Sequence, residues 1–76
     1  MGKKQLKNQE LLDKIVLLLK KLRDEKGLTQ EDLYNDTGIH IARIETGKTN
    51  ISISTLNEIA NYFGMNLEQF FSKINP

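Results

Sequence analysis

The chain has 76 residues, of which 38% are hydrophobic and 28% are charged, and it contains no cysteine. This length suits one small domain, and the lack of cysteine excludes a disulfide framework and a thiolate zinc site. The longest purely apolar run covers only residues 15–19, whereas a membrane-spanning helix needs roughly 20 apolar residues. The sequence therefore predicts a cytoplasmic protein that does not enter a membrane.

The net charge of +1 hides an uneven distribution along the chain. Residues 1–26 carry eight basic and four acidic side chains, whereas residues 27–76 carry three basic and six acidic ones. A basic half can meet a polyanion, although total charge alone identifies no partner. Residues 1–7 are polar and rich in lysine, and we expect a flexible basic N-terminus there.

The first predicted helix begins after Asn8, because apolar residues recur at spacings of three and four from Leu11 to Leu22. Gly27 is expected to end it in the left-handed conformation that closes many helices. Thr29 then resembles an N-cap, followed by acidic residues that favour a first turn. The second helix is predicted to be short, over about residues 30–35.

Thr37 is a second N-cap candidate, and it predicts a third helix over about residues 38–46 that Gly47 closes. The two motif helices with their caps thus cover about residues 29–36 and 37–46.

Two further helices complete the pattern. Ser52 is expected to cap a helix over residues 53–63, with Ile53 on its inner face. Asn66 and Gln69 have the spacing of a capping box, which predicts a fifth helix over about residues 67–73. No segment reads as a convincing strand. The sequence therefore predicts an all-α domain of five helices over residues 8–74.

An enzyme is not expected. His40 is the only histidine, and no partner for it as a metal ligand or acid–base pair is evident in the sequence. The glycines are spaced as helix stops and not as a phosphate-binding loop. We predict no catalytic residue, no metal site and no cofactor.

Two short helices joined by a tight break have the layout of a helix-turn-helix, whose second helix lies in the DNA major groove. Three segments sharpen this prediction, namely LTQEDL at 28–33, IARIETGK at 41–48 and NISISTL at 50–56. Together they resemble the Cro and phage-repressor family of helix-turn-helix regulators over about residues 15–71. The resemblance implies a lambda-repressor-like DNA-binding domain, here with an extended first helix.

The resemblance also assigns roles to individual residues. Gln30 matches a position that bonds a DNA phosphate, and Thr37 matches the cap of the recognition helix, close to the phosphates. Positions that face bases are matched by Gly38, Ile39, His40 and Arg43. A loop that touches the DNA backbone is matched by Lys48, Thr49 and Asn50.

Arg43 is the strongest base-reading candidate, since an arginine can grip guanine O6 and N7 with two hydrogen bonds. The competing interpretation is an ion pair with Glu45 or Asp36. In the family, however, the acid at Glu45 is structural, and Arg23 is a plausible partner for it. Ile41 and Ile44 match core positions.

The spacing around Thr37 departs from the family by three residues, close to one helical turn. When positions of the family motif are counted back from Glu45, Thr37 matches the cap of the third helix. When they are counted forward from Thr29, Thr37 matches a position inside the second helix. We interpret this as a shortened second helix, in which Tyr34 replaces the lost apolar contacts. Ile39 is open to two interpretations, contact with a thymine methyl group or packing in the core.

Four acidic residues lie in the motif and weigh against DNA, because cations supply much of the affinity for phosphates. They are Glu31, Asp32, Asp36 and Glu45. A homodimer doubles the cationic contacts, and we expect it to form through the first helix, the C-terminal helix or both. The predicted function is a sequence-specific, nucleoid-associated regulator of transcription that binds double-stranded DNA, expected to be a repressor. The alternative is a helical protein-interaction module or an antitoxin-like protein that binds a protein partner and DNA only weakly.

Overall fold

The computed structural model describes residues 8–74. Within them it has five helices and no strand, which confirms the all-α prediction. The helices are α1 (Gln9–Lys26), α2 (Gln30–Thr37), α3 (Ile41–Ile44), α4 (Ile53–Tyr62) and α5 (Leu67–Ser72). The predicted flexible terminus at residues 1–7 lies outside the described residues.

Helix α1 is bounded by the predicted residues. The Asn8 side chain accepts a hydrogen bond from the backbone N–H of Leu11 at 3.0 Å, and Gly27 ends the helix at a φ of 66°. One face of the helix is buried and consists of Leu12, Ile15, Val16, Leu18, Leu19 and Leu22. Leu11, placed on the apolar face by its spacing, is instead 39% exposed.

The core draws one large, fully buried side chain from each helix: Leu19, Leu33, Ile41, Ile59 and Phe70. Full burial of such a side chain stabilises a fold by about 1.5–3 kcal/mol. Because α2 and α3 both contribute to this core, their inner faces are fixed and their outer faces are left for solvent or a partner.

The boundary between α2 and α3 differs from the prediction. Helix α2 continues through Thr37, and Gly38 ends it in the left-handed region at a φ of 76°. Thr37 therefore caps no helix; its hydroxyl donates to the Leu33 carbonyl at 2.7 Å and accepts from Ile39 N–H at 3.1 Å. Helical bonding resumes only at the carbonyl of His40, which accepts from Arg43 and Ile44 N–H.

The segment between Thr29 and Glu45 is three residues, about one helical turn, shorter than in the family. The structure places this shortening at the start of the third helix, so the predicted shortening of the second helix is wrong. Helix α3 has only four residues. Tyr34 does not replace core contacts, because it is 44% exposed and its ring lies 4.9 Å from the ring of His40.

The last two helices begin where predicted. Ser52 Oγ accepts from Thr55 N–H at 3.1 Å, and Asn66 and Gln69 form both bonds of a capping box. Ile53 was expected on the inner face of α4 but is 74% exposed. The buried face of α4 is formed by Leu56, Ile59 and Ala60.

Candidate nucleic-acid interface

Residues 40–47, which we call the recognition segment, consist of α3 and the turns on either side of it. Backbone bonds continue past α3, from Glu45 N–H to the Ile41 carbonyl at 2.9 Å and from Gly47 N–H to the Ile44 carbonyl at 3.0 Å. Ile41 and Ile44 are buried, as predicted. The exposed side chains of the segment are those of His40, Ala42, Arg43 and Thr46. The segment is therefore a short rod with an apolar inner face and an exposed outer face.

Arg43 and His40 lie between two shallow hollows in this outer face. The first, of about 290 Å³, is also lined by Gly38, Ile39, Thr49, Asn50, Ser52 and Thr55. The second, of about 430 Å³, is also lined by Gln30, Glu31, Tyr34 and Ala42. The structure thus brings most of the predicted DNA-contacting residues to one surface, together with Ser52 and Thr55, to which the sequence assigned no DNA contact.

The side chain of Arg43 is exposed. Among residues 8–74, its guanidinium forms no ion pair and no side-chain hydrogen bond. The competing interpretation, an ion pair with Glu45 or Asp36, is wrong because other side chains hold both carboxylates. The guanidinium is available to an acceptor outside the chain.

Glu45 faces inward, although it lies only two residues from Arg43. Its side chain is 2% exposed, and Arg23 Nε and Nη2 donate to its two oxygens, each at 2.8 Å. Arg23 Nη1 also donates to the Leu28 carbonyl at 3.0 Å. The bonded carboxylate raises the pKa of Arg23 above its ordinary value. The predicted pairing of Arg23 with Glu45 is confirmed, and it ties α1 to the recognition segment.

Gln30 joins the same network, since its Nε2 donates to Glu45 Oε1 at 2.8 Å. A side-chain amide has two N–H donors, so this bond occupies one and leaves the other. The bond fixes the side chain at the start of α2, beside the second hollow. The phosphate contact assigned to Gln30 stays a prediction.

Two other acidic residues of the motif also have partners within the chain. Asp32 accepts from the backbone N–H of Thr29 at 2.9 Å in a capping box, and these bonds lower the pKa of Asp32. Asp36 accepts from the hydroxyl of Tyr62 at 2.6 Å, and that bond raises the pKa of Tyr62. Glu45 is paired with a cation, whereas Asp32 and Asp36 accept bonds from neutral groups and stay exposed, although neither lines a hollow of the interface. The objection that the motif acids posed to DNA binding weakens to that extent.

The residues predicted to open the recognition helix instead precede it. Gly38 ends α2 and His40 occupies the cap position of α3, so neither lies inside α3. Ile39 is partly buried and packs against the core, which favours the second of its two interpretations. The helix does not start at Gly38 because that residue takes the left-handed conformation.

The loop after the recognition segment starts at Gly47, whose φ is 75°. Lys48 and Asn50 are exposed and Thr49 is partly buried. The Gly47 carbonyl accepts from Gln9 Nε2 at 2.8 Å. Sequence reasoning missed this contact, because the two residues are 38 positions apart and no local pattern links them.

No helix of residues 8–74 is long and apolar enough to cross a membrane. The same residues include no group of three or more His, Cys, Asp or Glu side chains that could hold a metal ion.

The chain is similar to a known protein family and to a solved structure. A family model described as helix-turn-helix matches residues 19–70, so α1 begins ten residues before the matched region. The solved structure of the restriction-modification controller protein C.Esp1396I, a tetramer in complex with its natural 35 base-pair operator, is 34% identical. The similarity covers 84% of this chain and 88% of that chain, with a TM-score of 0.74. Among curated proteins no significant match is found.

Proposed function

The chain belongs to the Cro/C1-type helix-turn-helix family of DNA-binding transcription regulators, and from this premise we propose that it recognises specific sites in double-stranded DNA. The recognition segment enters the major groove, and Arg43 reads the edge of a guanine. The observation that carries this proposal is the exposed guanidinium of Arg43, which has no partner among residues 8–74 and lies between two hollows.

Local electrostatics support DNA as the ligand. A duplex presents closely spaced negative phosphates, so a carboxylate on the contacting face would repel it. Glu45 is buried and paired with Arg23, while Asp32 and Asp36 accept internal hydrogen bonds. Of the four motif acids, only Glu31 lines one of the two hollows.

The remaining site residues divide into base and phosphate contacts. His40 shares both hollows with Arg43 and is proposed to face bases. We propose that the DNA backbone is held by Gln30 on one side of Arg43 and by Lys48, Thr49 and Asn50 on the other. Phosphate contacts set the position of a protein on the duplex, whereas contacts to base edges select the sequence.

We propose a homodimer as the DNA-binding form. One recognition segment offers few cationic contacts, and a twofold dimer presents two segments about one DNA turn, roughly 34 Å, apart. Large apolar side chains remain for an interface, since Leu17 is 67% exposed on α1 and Phe71 is 37% exposed on α5. The similar protein C.Esp1396I is a tetramer on its operator, which supports assembly of several copies on DNA.

Repression is the simplest regulatory output. A dimer bound within a promoter excludes RNA polymerase by occupancy alone and needs no further activating surface. This role places the protein in the cytoplasm, associated with the nucleoid.

A protein-interaction module is the second candidate. A groove of about 440 Å³ lies between α1 and the end of the described chain, lined by Leu17, Leu18, Leu22 and Ile74 with lysines at its edge. In this alternative a protein partner binds the groove and DNA binding is weak or absent.

A salt titration separates the two candidates. Affinity for a random-sequence duplex is expected to fall steeply with salt, because each neutralised phosphate contributes about −0.9 to the slope of log K against log salt. Selection from random DNA then supplies a preferred site. Arg43→Ala should reduce the preference for that site over random duplex, while Lys20→Ala, an exposed control outside both hollows, should not. If no duplex binds at low salt, the regulator proposal is wrong.

A further inference from the structure

The first two turns of α1 hold the turn that ends the recognition segment, although they precede the residues that the family model matches. Gln9 Nε2 donates to the Gly47 carbonyl at 2.8 Å and to Asp13 Oδ1 at 2.9 Å. Gly47 is buried, and a Cβ atom added to it would lie 3.5 Å from Asp13 Oδ1 and 3.8 Å from Gln9 Nε2. Since a side-chain amide has two N–H donors, Asp13 fixes the side chain of Gln9 while Gln9 holds the turn.

The peptide group between Gly47 and Lys48 is bonded on both sides. Its carbonyl accepts from Gln9, and its N–H donates to Thr46 Oγ1 at 3.2 Å. Because the peptide group is planar, these two bonds together set its orientation. Gln9 therefore helps to set the direction in which the chain leaves the recognition segment.

The loop that follows depends on this direction. Residues 48–52 form no helix or strand, and α4 begins only at Ile53. The exposed side chain of Lys48 comes directly after the bonded peptide group. A rotation of that group would move Lys48 and the residues after it, which are proposed to hold the DNA backbone.

Gln9 differs from Arg23, the other side chain of α1 that bonds to the recognition segment. Arg23 pairs with the buried carboxylate of Glu45, whereas Gln9 is exposed and bonds a backbone carbonyl. Substitution of an exposed side chain usually changes stability little. The contact of Gln9 is therefore better suited to orienting the loop than to stabilising the domain.

We propose that Gln9 is a positioning residue for DNA binding, which orients the peptide group after Gly47 so that Lys48 meets a phosphate. In this role Gln9 itself does not contact DNA. The inference rests on the proposed function and extends the residues needed for DNA binding to the first turn of α1, outside the helix-turn-helix. Phosphate contacts carry no direct sequence information, so Gln9 affects affinity and salt dependence without changing which site is preferred.

The test compares Gln9→Met with Gln69→Met. Methionine is close to glutamine in helix propensity but has no N–H donor and no amide oxygen. Gln69 is a matched control, because it is exposed, accepts from the backbone N–H of Asn66 at 2.9 Å and lines neither hollow. Lys48→Ala and the double variant Gln9→Met/Lys48→Ala complete a double-mutant cycle.

Binding of each full-length protein to the selected site and to random duplex is followed by fluorescence anisotropy from low to moderate salt. Urea unfolding and sedimentation check that the variants keep the fold and the oligomeric state of the wild type. Lys48→Ala is expected to reduce the steepness of log K against log salt by about 0.9 for each bound protomer, since one phosphate contact is lost. Gln9→Met should reduce it by about half of that amount or more, and by nothing further when Lys48 is already alanine.

The ratio of site to random affinity should stay as in the wild type for every variant, and Gln69→Met should leave the slope unchanged. A slope that Gln9→Met leaves unchanged, or reduces equally with and without Lys48, would overturn the inference while leaving the proposed function intact. Equal effects of Gln9→Met and Gln69→Met on the slope would also overturn it, as would an unchanged slope in Lys48→Ala. Failure of the wild type to bind any duplex would overturn both the inference and the proposed function.

Discussion

Glu45 and Arg43 are two residues apart in one short segment, and their side chains have opposite surroundings. Glu45 is buried and receives three hydrogen bonds from Arg23 and Gln30, whereas Arg43 is exposed and has no side-chain partner among the described residues. In the net charge of the segment, the negative charge of Glu45 and the positive charge of Arg43 cancel each other. The structure separates them, since one charge stabilises the fold and the other is available to a ligand.

The largest expected effect comes from removing the buried charge. Glu45→Ala leaves Arg23 without its carboxylate partner, and loss of one member of a buried pair typically costs about 3 kcal/mol or more. The free energy of unfolding, measured with urea, should fall by about that amount. Glu31→Ala, which removes an exposed acid of the same motif, should change it by less than about 0.5 kcal/mol. Equal stability of the two variants would contradict the structural role of Glu45.

Arg43→Ala should show the reverse pattern. Loss of a two-bond contact to guanine weakens binding to the preferred site by about 1–3 kcal/mol. The free energy of unfolding should stay within about 0.5 kcal/mol of the wild type, because the side chain is exposed. Anisotropy and urea unfolding on the same protein check both values. A stability loss as large as that of Glu45→Ala would show that the contrast between the two residues is false.

Gly38, in the turn before α3, and Gly64, just after the end of α4, form a matched pair of glycines. Gly38 and Gly64 have φ values of 76° and 77°, and a Cβ atom at either would meet nothing within 4 Å. Alanine at each should therefore cost a similar backbone strain, about 1–2 kcal/mol in urea unfolding. Only Gly38→Ala should also weaken site-specific binding, since Gly38 lines a hollow with Arg43. Weaker DNA binding by both variants to the same extent would mean that general stability, and not the turn, controls recognition.

A smaller effect concerns the cap of α2. Hydrogen bonds from Thr29 lower the pKa of Asp32 below its unfolded value, so the ionised form stabilises the fold at neutral pH. That contribution is lost as the pH falls through the pKa of the folded state. Asp32→Asn should therefore be less stable than the wild type at pH 7, with the difference shrinking in acid. Unfolding midpoints at several pH values measure this, and a difference independent of pH would contradict the assignment.

Local signals predicted most of the fold. Gly27, Thr29, Ser52 and Asn66 act through neighbours within a few positions, so their roles could be derived from the sequence. Thr37 could not be placed in the same way, because the motif gave two different registers and a helix of four residues is too short to show a period. The left-handed conformation of Gly38 resolves that ambiguity in favour of α2.

The candidate site was predictable only as far as the family motif extends. The pairing of Arg23 with Glu45 was expected from the resemblance and is confirmed. Packing places Ile39 against the core and exposes Ile53, and neither outcome has a clear signal in the helical spacing. The contact between Gln9 and Gly47 joins distant parts of the chain, and only the tertiary structure reveals it.

The central claim is that Arg43 reads a guanine in the major groove, and a modified operator tests it most directly. Each guanine of the selected site is replaced in turn by 7-deazaguanine, which lacks the N7 acceptor, and binding of wild type and Arg43→Ala is compared. At one guanine, the replacement should weaken wild-type binding by about fivefold or more, the equivalent of about 1 kcal/mol. The same replacement should leave Arg43→Ala unchanged. Equal losses in both proteins at every guanine, or no loss in either, would contradict the account.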